Sequence, residues 1–148
     1  MRYQIEILLP ESVHNFTELI KIYHTVFDMD NDGIPGENYL KKLLQKDDFL
    51  VFVAKADDKV VGGLTVYILH GYYTTKPTAY IYDVGVCVEY QRKGVGRHLL
   101  SALLDYCKVR NYECAYVEAE ASDKNALAFY RSIRISSELH AIQFTYVP

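Results

Sequence analysis

Long apolar segments are missing from this chain of 148 residues. No stretch approaches the ~20 apolar residues that cross a bilayer, so no membrane partner is expected. The N-terminal segment MRYQIEILLPES has only a short apolar run, interrupted by Glu6, which does not fit a signal peptide. No repeat, linker or low-complexity tract divides the sequence. Its length suits one domain, residues 1–148, with a sizeable buried core.

An excess of basic residues is also missing. The formal net charge is −3, from 16 Lys and Arg against 19 Asp and Glu. Proteins that bind DNA or RNA are more often basic, so no nucleic-acid partner is expected. An anionic surface does suit a small polycationic ligand.

Cysteines are few and lack metal-ligand spacing. Cys87, Cys107 and Cys114 are odd in number and indicate reduced thiols in a cytoplasmic protein. The segment DMDNDG at 28–33 matches the first half of a calcium loop, but Tyr39 stands where the loop needs a bidentate Glu. The histidines form no ligand cluster. We therefore expect no metal cofactor.

Hydrophobic periodicity predicts the element order β-α-α-β-β-β-α-β-α-β. The predicted strands cover residues 3–9, 49–56, 60–69, 79–88, 114–121 and the tail 139–147, and the predicted helices begin near Ser12, Tyr39, Gly94 and Asp123. The strand-helix-strand unit from 79 to 121 demands a parallel pair of strands. The sequence thus predicts an α/β fold with a mixed sheet.

The stretch YIYDVGVCVEYQRKGVGRHLL, residues 80–100, runs from an apolar strand through a basic glycine turn into a helix. It lacks the P-loop pattern, and Leu99 occupies the third glycine position of the dinucleotide fingerprint. A helix beginning near Gly94 still leaves its first amides unpaired, and glycine lets an anion approach the backbone. Spacing alone leaves two interpretations open: a pyrophosphate site, or a solvated turn.

The pattern Gln-x-x-Gly-x-Gly at 91–96, directly after the strand 84–88, resembles the acetyl-coenzyme A loop of the GNAT N-acetyltransferases. The segment 126–130, Ala-Leu-Ala-Phe-Tyr, resembles the helix that closes the coenzyme site in that family. The match covers most of the chain from about residue 35 onward. It implies a mixed, mostly antiparallel central sheet flanked by helices, and acetyl-coenzyme A as the acetyl donor.

The resemblance also implies which residues hold the coenzyme. The edge of the strand would pair with the pantetheine arm through Val86 and Val88. The pyrophosphate would bind to the loop formed by Arg92, Lys93, Gly94, Val95, Gly96 and Arg97.

A narrower resemblance is to the aminoglycoside 3-N-acetyltransferases. It is carried by Pro35, Tyr39-Leu40, Leu43-Leu44, Phe49, Tyr80-Ile81-Tyr82-Asp83, Val86, Ala115-Tyr116-Val117, Glu120 and Asp123. One departure is Arg134, which stands where the family usually has a glycine after the closing helix. Arg does not take the left-handed cap conformation as cheaply as Gly, so we expect the turn into the last strand to differ.

Acetyl transfer to an amine needs a base, a donor to the oxyanion and an acid for the departing thiolate. Asp83 is the predicted base, because it lies in an apolar strand just before Gly85, where the backbone can come close to a ligand, and burial would raise its pKa. The alternative is a structural Asp. The resemblance implies Tyr130 as the acid, with a core tyrosine as the alternative. The main-chain N–H of Val86 is the predicted oxyanion donor.

Acidic side chains predict the acceptor site. Glu118 and Glu120 share one strand face by the two-residue period, and with Asp83 and Asp123 they would form an acidic wall for a polycationic acceptor. The alternative is a solvated strand face and an ordinary helix cap. A thioester relay through Cys87 is disfavoured, because a nearby carboxylate opposes thiolate formation. Direct attack in a ternary complex is therefore expected.

The leading hypothesis is an enzyme that moves acetyl from acetyl-coenzyme A to a primary amine of a small polycationic acceptor. The resemblance implies an aminoglycoside and its 3-N position. One alternative keeps the donor and changes the acceptor to a polyamine, an amino acid or a protein amine. Another is a non-catalytic regulatory module, which the presence of both Asp83 and Tyr130 opposes. A homodimer stays open, since the sequence does not fix the oligomeric state.

Overall fold

The computed structural model describes residues 2–29 and 33–148. The chain divides into two compact units, Met1–Glu118 and Ala119–Pro148. That the whole chain acts as one domain stays a prediction. The half calcium loop at 28–33 includes residues 30–32, which lie outside the described residues, so its interpretation also stays a prediction.

The first unit contains a five-stranded mixed sheet. Its strands and α-helices are β1 (Gln4–Ile7), α1 (Val13–Val26), α2 (Glu37–Leu44), β2 (Phe49–Ala56), β3 (Lys59–Leu69), β4 (Thr78–Val86), α3 (Val95–Val109) and β5 (Cys114–Val117). The strand order in space follows the chain, β1-β2-β3-β4-β5. Neighbouring strands are antiparallel except β4 and β5, which are parallel. The predicted α/β fold with one parallel strand-helix-strand unit is confirmed.

Helices cover both faces of the sheet. The apolar stripe of α1, with Phe16 and Leu19, packs with α2 into a core that includes Val51 and Val53 of β2. Phe52 points the other way, where its ring meets Tyr106 of α3 edge-on at 5.9 Å. Because side chains alternate along a strand, β2 is buried on both faces. Among residues 2–29 and 33–148, no helix has the length and apolarity that crossing a bilayer requires.

A bulge interrupts β4 at Tyr82. Thr65 of β3 pairs with Asp83, but the next residue of β3, Val66, pairs with Ile81. Tyr82 is therefore the extra residue of the bulged strand. β5 pairs with β4 only as far as Ile81, so the ladder between them ends where the bulge begins.

Two predicted strands end earlier in the structure than in the prediction. β4 stops at Val86, and the chain then turns through a short 3₁₀ segment, Val88–Tyr90. β5 stops at Val117, four residues before the predicted end at 121. The prediction that Glu118 and Glu120 share one strand face is therefore wrong, because the strand has lost its ladder partner at the bulge.

The second unit contains α4 (Lys124–Ser132), which begins at Asp123 as predicted. Asp123 Oδ1 accepts a hydrogen bond from the Ala126 amide at 3.0 Å, which makes it the N-cap. The helix ends at Ser132, and its C-cap residue, Ile133, is extended, with φ −98° and ψ 138°. The chain therefore does not form a left-handed cap before Arg134.

The predicted strand at 139–147 is wrong: the described residues of the second unit contain no strand. A strand is defined by a ladder of backbone hydrogen bonds to a neighbour, and this segment pairs with no strand in the described part of the chain. Its apolar side chains, Leu139, Ile142 and Phe144 among them, are exposed. Arg131 holds the preceding segment through a bidentate ion pair with Glu138, at 2.7 and 3.1 Å.

Candidate active site

A cavity of about 220 Å³ lies between α1, α2 and the middle of the sheet. Its lining is mainly apolar and aromatic, with Tyr23 and His24 from α1 and Tyr39 from α2. The sheet contributes Tyr67 and Asp83, among others. A mainly apolar and aromatic lining with a few polar side chains is typical of a small-molecule site.

The bulge brings Asp83 to this cavity. Strict alternation would send Tyr82 and Asp83 to opposite faces of the sheet, but the extra residue lets both line the cavity. The Asp83 side chain is half-buried, and this burial raises the pKa of its carboxyl group above the usual value. The direction is the one that sequence reasoning expected for a desolvated acid; the role as base stays a prediction.

Gly85 has a different neighbour from the one expected. A Cβ at this position would come within 2.8 Å of Cδ1 of Tyr23, so the missing side chain lets the ring of Tyr23 lie against β4. The Tyr23 hydroxyl donates a hydrogen bond to the main-chain oxygen of Asp83 at 3.5 Å. The missing side chain thus accommodates α1, and the approach of a ligand to this backbone stays a prediction.

The glycine turn opens α3. Gly94 is its N-cap with φ +88°, and Arg92 also has a positive φ of 58°. The His98 amide donates to the Gly94 carbonyl at 3.0 Å, which makes the first bond of the helix. The amides of Val95 and Gly96 precede that bond, and the helix itself offers them no acceptor. This N-terminus is the positive end of the helix dipole. It lies beside three exposed basic side chains, Arg92, Lys93 and Arg97.

Gln91 is a residue whose contribution sequence reasoning missed, although it belongs to the quoted motif. Its Nε2 donates to the carbonyl of Val86 at 2.9 Å and so ties the turn to the end of β4. Val88 lies in the 3₁₀ segment, and its carbonyl accepts from the Gln91 amide at 3.2 Å. Its predicted place on the strand edge is therefore wrong. The pantetheine role of Val86 stays a prediction.

These features fit the pyrophosphate of a coenzyme. Unpaired amides at a helix N-terminus bind anions through hydrogen bonds and the helix dipole. A left-handed Gly94 with open space where a Cβ would stand keeps the backbone accessible, since the nearest atom to that position is His98 Cε1 at 3.9 Å. The predicted loop, residues 92–97, thus has the geometry that the prediction needs.

The predicted acidic wall is divided between the two units. Glu118 ends the first unit, and its Oε1 accepts a hydrogen bond from the Tyr80 hydroxyl at 2.7 Å. That bond, with burial and the charge of Glu118, raises the pKa of Tyr80 to about 12. Glu120 and Asp123 belong to the second unit, where Asp123 caps α4. Their predicted role toward an acceptor stays a prediction.

Tyr130, the predicted acid, is partly buried on α4 in the second unit. Its ring meets Phe129 edge-on, with 5.1 Å between the ring centroids. Cys87 is a free thiol at the end of β4 whose pKa is raised, first by burial and then by the charge of Glu89. A raised pKa opposes thiolate formation, in keeping with the expectation that Cys87 is not a nucleophile.

Comparison with known proteins identifies the family of this chain. The profile of the acetyltransferase (GNAT) family matches residues 14–133. Among solved structures, an aminoglycoside acetyltransferase, meta-AAC0020, from an uncultured soil metagenomic sample in complex with trehalose is 40% identical. The TM-score is 0.96, over 99% of this chain and 96% of that chain. The same protein in complex with sisomicin is 39% identical with the same TM-score of 0.96.

A curated relative is the ribosomal protein bS18-alanine N-acetyltransferase of Salmonella typhimurium, 30% identical over 101 residues. The match covers 68% of this chain and 57% of the relative, so the chain spans little more than half of that protein's length. Members of the family take their acetyl group from acetyl-coenzyme A. Since the family profile spans most of the residues and the fold and turn agree with it, the chain belongs to the acetyltransferase (GNAT) family.

Proposed function

We propose that this protein transfers acetyl from acetyl-coenzyme A to a primary amine of an aminoglycoside, at the 3-N position. One observation carries the proposal: Asp83, with its raised pKa, lines an aromatic cavity three residues before the end of the strand that leads into the coenzyme turn. A carboxylate so located can take a proton from an amine that enters the cavity.

The comparison with meta-AAC0020 supports an aminoglycoside acceptor. That protein is an aminoglycoside acetyltransferase that binds sisomicin, and at 39% identity it aligns with 99% of this chain. The surplus of acidic residues here suits an acceptor with several ammonium groups. The 3-N position rests on the motif resemblance alone.

The chain's own residues would bind both substrates, take a proton from the amine and supply one to the departing sulfur. Bound acetyl-coenzyme A supplies an activated thioester. The amides of Val95 and Gly96 and the basic side chains beside them hold its pyrophosphate. An alkylammonium has a pKa of about 10, so the acceptor amine must lose a proton before it can attack. Asp83 accepts that proton at its carboxylate, and burial strengthens its affinity for the proton.

Two further roles belong to the same proposal. The Val86 N–H would donate to the negative charge that develops on the thioester oxygen as the amine attacks the carbonyl carbon. Tyr130 protonates the coenzyme sulfur, an assignment that rests on its motif. Attack is direct: burial raises the pKa of Cys87, which opposes the thiolate that a relay would need. The free cysteines suit a cytoplasmic location, and the reaction calls for no metal.

A second candidate acceptor is the N-terminal amine of a protein. The match to the ribosomal protein bS18-alanine N-acetyltransferase favours it, although that match covers only 57% of the relative. The cavity is small, at about 220 Å³, and could take one residue of a peptide as well as one sugar ring.

A coenzyme-release assay separates the acceptors. Purified protein with acetyl-coenzyme A is given aminoglycosides, spermidine and an alanine-terminated peptide in parallel, and the acetylated product is located by NMR. We expect the largest kcat/KM with aminoglycosides and the acetyl group on the 3-N amine. A higher kcat/KM with the peptide would replace the proposal by the second candidate, and a different acetylated amine would remove the 3-N position.

A further inference from the structure

An aromatic row crosses the sheet on the side of the cavity. In the strand register Phe49 lies opposite Tyr67, Tyr67 opposite Tyr80, and Tyr80 opposite Tyr116. Residues directly opposite each other share a face, so these four side chains form one line across β2, β3, β4 and β5. The bulge adds a fifth ring, that of Tyr82. We call these five residues the tyrosine row.

The rings of the row touch one another. The centroids of Phe49 and Tyr67 lie 5.0 Å apart, and those of Tyr67 and Tyr82 lie 5.5 Å apart. Tyr80 and Tyr116 stack at 4.8 Å with an angle of 19° between their planes. The contacts make a continuous aromatic surface that starts at the cavity, where Phe49, Tyr67 and Tyr82 are lining residues, and ends at the outer strand.

The row is buried at its Phe49 end, and its tyrosines are partly or fully exposed. Phe49 is 4% exposed, whereas Tyr67, Tyr116 and Tyr82 are 39%, 41% and 58% exposed. The buried end is a phenylalanine, and every exposed position is a tyrosine. Tyrosine offers a flat apolar ring and a polar hydroxyl, and it is enriched where a surface binds a partner that is partly polar. Contiguous exposed rings of this kind mark a binding surface.

Carboxylates stand at both ends of the row. Asp83 follows Tyr82 at the cavity end. Glu118 lies at the outer end, where the hydrogen bond from Tyr80 at 2.7 Å fixes its carboxylate beside the stacked pair. Tyr80 thus stacks on Tyr116 with its ring and orients the Glu118 carboxylate with its hydroxyl. A ligand that lies along the row would meet a carboxylate, aromatic faces and a second carboxylate in that order.

We propose that the tyrosine row binds a further ring of a multi-ring amino-sugar acceptor while the ring that carries the reacting amine occupies the cavity. The C–H faces of sugar rings match flat aromatic side chains, and their ammonium groups are attracted by ring faces and by Glu118. The inference rests on the proposed function for the acceptor class. It adds that the number of rings, and not only the charge, determines affinity.

Equilibrium binding tests the row without requiring turnover. Isothermal titration measures Kd for tobramycin, with three rings, and for glucosamine, with one ring, on the wild type and on Tyr116→Leu, which keeps bulk but removes the ring. We expect Tyr116→Leu to weaken tobramycin about five- to tenfold, the worth of one aromatic contact. Glucosamine should bind Tyr116→Leu and the wild type equally.

Two variants serve as controls. Tyr116→Phe keeps the ring and should restore the wild-type Kd for tobramycin. Tyr72→Ala removes an exposed tyrosine of the β3–β4 loop that is not part of the row, and it should leave both Kd values unchanged. If Tyr116→Leu does not fold, Tyr80→Leu repeats the measurement at the ring stacked on Tyr116, which does not line the cavity.

Several results would overturn the inference. Tobramycin binding that is unchanged in Tyr116→Leu would do so, and so would an equal loss for tobramycin and glucosamine. A wild-type dimer that becomes a monomer in Tyr116→Leu, seen by sedimentation, would reassign the row to a contact between two copies. A different result would contradict the proposed function alone. If the wild type binds tobramycin through the row but releases no coenzyme A, the binding role of the row stands and the acetyl-transfer reaction does not.

Discussion

The coenzyme turn and the acceptor face are built from different parts of the chain. In the proposed function the turn binds the coenzyme with backbone amides at the start of α3, where Gly94 has φ +88°. The acceptor face is made of side chains that come from β2, β3, β4 and β5 and from two helices. A backbone site is local in sequence and changes little between acceptors. A side-chain site depends on register, and single substitutions can change its specificity.

The sharpest way to separate the two regions is Asp83→Asn. The variant keeps the shape of the side chain and removes the proton acceptor, so kcat should fall about 10²–10⁴-fold. The Kd for acetyl-coenzyme A should not change, because the turn that binds it is untouched. Steady-state kinetics and a coenzyme titration measure the two effects.

Asp105→Asn is the matched control, since this Asp is exposed on α3. It should behave as the wild type does. If Asp83 only anchors the acceptor, Asp83→Asn will raise KM and preserve kcat at saturating substrate, which contradicts its role as base. A base with a raised pKa must be deprotonated to act, so wild-type kcat/KM should fall as the pH drops through that pKa.

The reverse experiment damages the turn and spares the acceptor face. Gly96→Asp places a branched, negative side chain in the first turn of α3, where amides and the helix dipole favour an anionic ligand. We expect the Kd for acetyl-coenzyme A to rise about 10- to 100-fold, which corresponds to about 1.4–2.7 kcal/mol. Gly71→Asp, on the β3–β4 loop, adds the same charge away from the turn. Equal coenzyme affinity in Gly96→Asp and wild type would show that the pyrophosphate lies elsewhere.

Glu118→Gln tests the charge at the outer end of the acceptor face. The amide can still accept a hydrogen bond from Tyr80 but no longer attracts ammonium groups. KM for an aminoglycoside should rise about two- to fivefold at low salt, in the range of an exposed ion pair. The effect should shrink as ionic strength rises, because salt screens exposed charges. A loss that does not depend on salt, or one equal for a neutral amine, would point to damaged folding.

The smallest expected effect concerns stability. Burial raises the folded-state pKa of Asp83 above its ordinary value of 3.8, so the folded state carries an unfavourable charge at neutral pH. Asp83→Asn removes this charge and should raise Tm slightly at pH 7. Below pH 3.8 the wild-type carboxyl is protonated in both states, and the difference should vanish. A lower Tm for the variant at pH 7 would mean that the carboxylate makes stabilising contacts.

Local chemistry explains what the sequence could predict. The hairpin of β2 and β3 was placed within one residue, because a two-residue turn joins two apolar runs, and Asp57 and Asp58 there have φ of 50° and 62°. The start of α3 followed from Gly94, and the cap of α4 from Asp123.

Tertiary register explains what it could not predict. The bulge at Tyr82 arises from pairing with β3, and it decides both which face Asp83 occupies and where the pairing with β5 ends. Neither effect is visible as a pattern in β4 itself. The tyrosine row was hidden for the same reason, since its members are neighbours only across strands.

The stacked pair of Tyr80 and Tyr116 has an optical consequence. The chain has 14 tyrosines and no tryptophan, so no indole absorbs their excitation energy or masks their emission. Rings 4.8 Å apart exchange excitation, and a phenol that donates to the Glu118 carboxylate is quenched. A sugar ring that stacks on this pair would therefore change the ultraviolet emission of the unlabelled protein. Tyrosine fluorescence would then measure ligand binding without an added probe.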